Sequence, residues 1–264
     1  WKLIKQFSPA YTDGYLLAAV DAKRQFDGGV AQVSESRRIY LPLFVRTLRL
    51  SLIITLLTLL FGFPVAYLMA TLPTKASNVL LIFVLLPFWT SLLVRTTAWI
   101  ALLQQQGVIN EFLVVVGLVG TENRPQMIHN EFGTIVAMTH ILLPFMVLPL
   151  FSVMKTIPGS YVRAAVSLGA HPWVAFWKVY FPNTVPGIGA GAILVFILAI
   201  GYYITPELVG GTTGTFISNR IAHHISSSLN WGLAASLGII LLAVVIALFL
   251  IYDKIVGIDN MKLG

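Results

Sequence analysis

The chain has 264 residues, 57% of them hydrophobic and only 10% charged, with a mean hydropathy of +0.86. A soluble domain carries about 25% charged residues, so this chain has too little polar surface to cover a water-soluble globule and reads as an integral membrane protein. The absence of cysteine excludes disulfides and thiol chemistry. The net charge of +7 reports topology and lipid headgroups in such a chain rather than nucleic acid.

Residues 1–40 are polar, contain Asp13-Gly14 and Asp27-Gly28-Gly29, and predict an extramembrane segment with one short helix. The chain begins at Trp1, with no basic-then-apolar leader. A membrane span needs about 20 largely apolar residues. Five stretches qualify: Leu50 to Ala70, led by Arg46 and Arg49; Val79 to Leu103, interrupted by Pro87 and Arg95; Gly133 to Met154, with Pro144 and Pro149; Ile188 to Ile204; and Leu233 to Ile251. Gly187 and Gly191 head the fourth span as a small-xxx-small pair, and Gly232 and Ser236 stand similarly on the fifth, a pattern that lets helix backbones approach closely in lipid. Pro64, Pro87, Pro144 and Pro149 remove helix hydrogen bonds and permit kinks.

Between the third and fourth spans the chain turns polar and rich in small residues. Pro158-Gly159-Ser160 breaks the third span, and Ser160 is the expected N-cap of a short helix from Tyr161 to Leu168. Gly169 suits the left-handed residue that ends it. His171-Pro172 restarts a second helix with Trp173, Phe176 and Trp177 at helical spacing, which Pro182 and Pro186 are expected to end. The product is a helix–turn–helix lying at the membrane surface. Its exposed Ala164 and Ala165 would allow a partner to approach closely.

This segment resembles the signature of binding-protein-dependent ABC importer permeases: Glu-Ala-Ala, three residues, Gly, nine residues, then aliphatic, any, Leu, Pro. Here it reads Arg163-Ala164-Ala165, Gly169, then Val179-Tyr180-Phe181-Pro182, in full spacing, with Arg163 reversing the charge of the family's Glu. Pro87-Phe88-Trp89-Thr90, Leu93-Val94-Arg95, Gly107 to Leu113, Ile141 to Val147 and Tyr202 to Gly211 are similar to spermidine/putrescine permeases of the B-subunit type. The resemblance covers roughly residues 42 to 255. It implies an all-α membrane protein of the type I ABC importer fold, in the bacterial inner membrane, with a sixth span that would precede Trp1. Residues 1–41 would be a periplasmic segment, 42–255 the permease domain with a cytoplasmic coupling segment at 158–182, and 256–264 a cytoplasmic tail. The positive-inside rule read on Lys2, Lys5, Lys23, Arg24, Arg37 and Arg38 would place residues 1–40 in the cytoplasm. The coupling segment places them on the opposite side, and that placement is followed.

The resemblance further implies partners: an ABC ATPase, working as a dimer and docking on Arg163, Ala164, Ala165, Gly169, Ala170 and Pro182; a second permease; a periplasmic solute-binding protein; and membrane lipid. No phosphate-binding loop G-x-x-x-x-G-K-[ST] occurs, so ATP and Mg are expected on the partner ATPase and no cofactor on this chain. Gly187-Ile188-Gly189-Ala190-Gly191-Ala192 fits G-x-G-x-x-A only formally, because a membrane span rather than a strand surrounds it. His223-His224 points two ways on a helix, and no metal site or catalytic grouping is expected. His140 is expected to be hydrogen-bonded within the bundle.

Ionisable groups inside spans are functional candidates, which singles out Arg95 beside Trp89, Thr90 and Trp99. Glu207 follows Tyr202-Tyr203, and a carboxylate near aromatic faces suits a cationic amine. The resemblance implies a polyamine such as spermidine or putrescine as cargo, and Glu207 with Tyr202 and Tyr203 fits that. An opine- or amino-acid-like solute is the alternative, and a secondary transporter acting without an ATPase is a further one.

Overall fold

The computed structural model describes residues 13–25 and 29–256. The first twelve residues, Asp27-Gly28 and the expected tail from 257 onward lie outside the described residues, and with them the beginning of the expected periplasmic segment. The rest of that segment forms the short helix α1 (Gly14–Ala19) and an antiparallel ribbon of β1 (Ala22–Arg24) and β2 (Val30–Gln32), paired with Lys23 opposite Ala31. Between α1 and β1 stands Asp21, buried and at a positive φ of 53°. Its carboxylate accepts from the backbone N–H groups of Ile39 at 3.0 Å and Leu41 at 2.7 Å. These are orphan donors at the start of α2 (Tyr40–Thr71), so a negative charge caps the helix where its dipole favours one.

Helix α2 starts ten residues before the expected span. Its 32 residues extend about 48 Å, more than the roughly 30 Å of a bilayer's hydrocarbon core. Its early arginines are held from outside that layer: Arg46 donates to the Thr212 carbonyl at 2.8 Å, and Arg49 pairs with Glu131. Ser77 Oγ donates to the Met69 carbonyl at 2.7 Å, closing the turn into α3 (Thr74–Leu85).

The expected second span is not one helix. A tight turn at Leu86–Trp89 separates α3 from α4 (Leu92–Leu103), and the halves are bent by 97°. Pro87 lacks the N–H that would continue the first half. Ser91 caps the second, its Oγ accepting from Val94 N at 3.2 Å. A short helix α5 (Val108–Val115) follows, seated by the buried Asn110, whose amide donates to the Gln104 and Pro125 carbonyls. Among the described residues four helices are long and apolar enough to cross a membrane, and the bent pair makes a fifth crossing if counted as one.

Helix α6 (Glu131–Thr156) packs between α2 and α9 (Phe181–Gly201). Leu50 and Ile54, Met138, Leu142, Met146 and Leu150, and Val195 and Ala199 form their shared core. Lipid supplies no hydrophobic force between spans, so close packing holds them. A Cβ on Gly191 would lie 2.7 Å from Met146 Sδ, one on Gly62 3.2 Å from Met146 Cγ, and one on Gly187 3.0 Å from Val153 Cβ. The glycine pair of the fourth span therefore works as expected. The Gly232/Ser236 pair does not join two spans. Gly232 faces the Tyr15 ring of α1, and Ser236 Oγ donates back to the Gly232 carbonyl.

Two short helices, α7 (Gly159–Ser167) and α8 (Pro172–Ala175), precede α9. Then come α10 (Ile204–Val209), α11 (Gly211–Gly214), α12 (Ile217–Ser226) and the last span, α13 (Trp231–Val256). The Tyr40 hydroxyl meets His224 Nε2 at 3.0 Å, and His224 Nδ1 meets Ser228 Oγ at 2.8 Å, tying α12 to α2. Burial, with the nearby His223 and Arg220, holds the pKa of His224 below its ordinary value. Among the described residues no cluster of three metal-ligating side chains occurs.

Candidate functional site

The segment after α6 is a solvent-facing hairpin. Helix α7 starts at Gly159 behind Pro158, with Ser160 inside it, so the expected Ser160 cap is not used. Tyr161 N instead donates to the Pro158 carbonyl at 3.1 Å. The C-terminus is as the sequence requires. Gly169 has φ +89°, its N–H donates to the Val166 carbonyl at 2.9 Å, and Ala170 N donates to the Ala165 carbonyl at 3.0 Å. These two bonds are the Schellman pair that satisfies the last carbonyls of a helix. His171 caps α8, its Nδ1 accepting from Trp173 N at 3.3 Å, with Pro172 in the first turn.

The hairpin's outer surface is bare. Arg163, Ala164 and Gly169 are exposed, Ala165 and Ala170 are half-buried, and Leu168 at the turn is 89% exposed. The Arg163 guanidinium lies over the start of its own helix, with Nη1 3.3 Å from where a Gly159 Cβ would stand. Among the described residues it makes no ion pair.

The second half of the hairpin departs from expectation. Pro182 and Pro186 do not end it. The chain runs as one helix from Pro172 to Gly201 through a widened π turn at Phe176–Tyr180. Pro182 falls in the first turn of α9, where the wide turn has already disrupted the regular bonding that its missing N–H would break. The turn is packed with rings: Tyr67 of α2 meets Phe176 at 5.7 Å and Tyr180 at 5.3 Å, both edge-on, and Trp177 meets Phe181 at 4.8 Å. Phe63, Tyr67, Trp173 and Trp177 also line an apolar groove of about 820 Å³. The hairpin is thus fixed to α2 and continuous with the span that follows.

At the far end of that span, Tyr202 and Tyr203 interrupt the helix. Irregular backbone at membrane depth persists only where its polar groups are satisfied, and α12 satisfies them here. Ser218 Oγ donates to the Tyr202 carbonyl at 2.6 Å, and Asn219 Nδ2 donates to the Tyr203 carbonyl at 2.9 Å. Thr96 of α4 and Thr205 of α10, both buried, share a hydrogen bond at 3.1 Å, tying one broken element to the other.

On the same face of the bundle Trp99 Nε1 donates to His140 Nδ1 at 3.2 Å. Arg95 stands one turn before Trp99 on α4. His140 stands near the middle of α6 yet is open to the surface. A polar group exposed at that depth belongs against a path or a partner rather than lipid.

Of the path residues expected from the sequence, Trp99 meets His140, Arg95 lies one turn before Trp99 on the same helix, and Tyr202 stands at the break that Ser218 ties off. Trp89 and Thr90 sit in the break of the second span, Trp89 87% exposed and Thr90 Oγ1 bonded to its own Pro87 carbonyl. Tyr203 is exposed. Glu207 lies about 200° around α10 from Thr205, and its Oε2 accepts from Asn219 Nδ2 at 2.6 Å. Asn219, Thr96 and Thr205 escaped the sequence reading. The polar Ser218-Asn219 step among apolar neighbours was the available signal.

A family model described as binding-protein-dependent transport system inner membrane component matches residues 60–257. The chain belongs to that family. The permease is 33% identical over 224 residues to the spermidine/putrescine transport system permease protein PotB of Escherichia coli K12, covering 85% of this chain and 81% of that relative. It is 32% identical over 225 residues to the inner membrane ABC transporter permease protein YdcU of the same organism, covering 81% and 71%. A bacterial alginate ABC transporter in complex with alginate pentasaccharide-bound periplasmic protein superposes with a TM-score of 0.65 at 20% identity, over 99% of this chain and 86% of that one, which shows the fold. The chain is a permease subunit of an ABC importer, a multi-pass inner-membrane protein of a family that is not itself enzymatic.

Proposed function

We propose that this permease forms half of the path for a polyamine of the spermidine/putrescine class and is driven by a separate ATPase docked on residues 158–182. One observation carries the drive: an exposed hairpin, closed by Gly169 at positive φ and bare at Ala164 and Leu168, is continuous with the span that ends at the Tyr202–Tyr203 break. ATP and Mg would be bound by the ATPase. A second permease would complete the path, and a periplasmic binding protein would deliver cargo. Movement of the dock would bias the permease between inward- and outward-open states, a two-state switch rather than a chemical step.

The polyamine reading is supported by the relatives above and by Glu207, an exposed carboxylate one turn past Tyr203, also exposed. Its test is ATP-driven uptake in proteoliposomes holding both permeases, the ATPase and the binding protein. Labelled spermidine should enter only with ATP. Glu207→Gln should lower uptake about 10-fold, as expected for loss of a charge-assisted contact, while the ATPase still co-purifies. Uptake of an opine or amino acid in place of spermidine would overturn the cargo, and ATP-independent uptake would overturn the drive.

A further inference from the structure

The three ion pairs among the described residues are Arg24–Asp13, Arg49–Glu131 and Arg124–Glu111. Arg95 is in none of them. It stands in the first turn of α4, inside the broken second span, half-buried, and its Nε is buried without any hydrogen-bond partner. An ionised group so placed is costly unless paired. Its surroundings make that worse. The N-terminal end of α4 carries the positive pole of the helix, which disfavours a cation there. No carboxylate among the described residues pairs with it. Trp99 and His140 satisfy each other.

Among the described residues, the acidic groups nearest to the spans are placed or engaged elsewhere. Glu131 is in the first turn of α6 and paired with Arg49, Asp253 is in the last turns of α13, and Glu207 is engaged by Asn219 on the other face of α10. A second copy of this chain would bring another Arg95 and the same shortage. The proposed cargo is a polycation and brings no carboxylate.

We infer that Arg95 is a pairing site for an intramembrane Asp or Glu on the second permease. The inference rests on the importer reading and on a cationic cargo. The pair would sit where the Thr96–Thr205 tie joins α4 to the break at Tyr202 and Tyr203. A charge pair between the two halves would therefore also set how far the path can open at this level. Such pairing fixes which partner is accepted, because a like charge in its place is repelled.

The test uses the complex as it purifies with its second permease and ATPase. Arg95→Glu should lower ATP-driven spermidine uptake at least about 10-fold, as expected when one partner of a half-buried pair is reversed. Replacing the Asp and Glu residues of the second permease's spans one at a time by Lys should yield one substitution that harms the wild type and restores Arg95→Glu to within about three-fold of wild type, the reciprocal signature of a direct pair. A second measurement does not depend on altering the arginine. The chain has no cysteine, so Ala98→Cys, exposed and one turn along the same stripe, should form a disulfide with a cysteine placed beside that acidic residue. Failure of every swap and every cross-link, with ATPase binding and uptake intact, overturns the inference and leaves the importer reading standing. Two other results overturn it: cross-linking between two copies of this chain, or an Arg95→Gln variant that raises KM for a carboxylate-bearing solute while spermidine uptake is unchanged. Loss of ATPase binding in the unaltered complex would count against the importer reading instead.

Discussion

Gly169 shows how one backbone angle decides the shape of a docking surface. At φ +89° an L side chain is strained, and nothing lies within 4 Å of where its Cβ would stand. The cost of substitution is therefore conformational and not steric, about 1–2 kcal/mol for a residue with Cβ in the left-handed region. Gly169→Val should weaken the Schellman turn by at least that amount and reduce retention of the ATPase on immobilised permease about five- to thirty-fold. Gly169→Asn should lose little, because Asn tolerates this region. Equal losses for Val and Asn would show that the position touches the partner directly. The residue was legible because a Gly at the end of a small-residue helix has few other uses. Asp21 was not: an acidic side chain in a polar loop carries no sign that it will reach 20 residues along the chain to cap a span.

At the scale of elements, apolar length alone located the first, third, fourth and fifth spans, since about 20 apolar residues have no alternative to crossing a bilayer. It misplaced the start of the fourth. The π turn at Phe176–Tyr180 depends on rings from α2, Phe63 and Tyr67, that are distant in sequence. The second span misled for a related reason. A proline inside an apolar run signals a kink, but the 97° break also needs Ser91 as a new cap and Thr96 tied to Thr205. Within the site, Arg95 and Trp99 could be named from their sequence positions, whereas the meeting of Trp99 with His140 required the packing of α4 on α6. Elsewhere on α6, close approach holds the bundle where Met146 fits against Gly62 of α2 and Gly191 of α9. Gly191→Leu would force α9 away from α6 and should destabilise the bundle by about 1–3 kcal/mol, as overpacked interiors do. Gly191→Ala should cost less, because the atom it meets is the mobile sulfur of Met146. Thermal unfolding of both variants in one detergent checks the order.

For the molecule as a whole, the continuity of Pro172–Gly201 matters most. Thirty residues of helix, about 45 Å long, join a surface hairpin to the break at Tyr202. A rigid rod transmits rotation as well as push, so the phase of its two ends is part of the mechanism. The π turn holds one residue more than an α-helical turn would, and it sets that phase. Deleting Val179 should convert it to regular helix. The lower end is held in place by Gly187 against Val153 and Gly191 against Met146, so the dock end must rotate, by about 100°. Phe176 would then leave Tyr67, and the Ala164–Leu168 surface would face away from its present direction. The expected result is a permease that still inserts and still binds the second permease, but retains no ATPase and shows no ATP-driven uptake. Val179→Ala, which trims the side chain and keeps the register, should preserve both. If the deletion variant transports normally, the dock and the Tyr202–Tyr203 break are joined by something other than this helix, and the search for the lever moves to α2, which touches the same ring cluster through Phe63 and Tyr67.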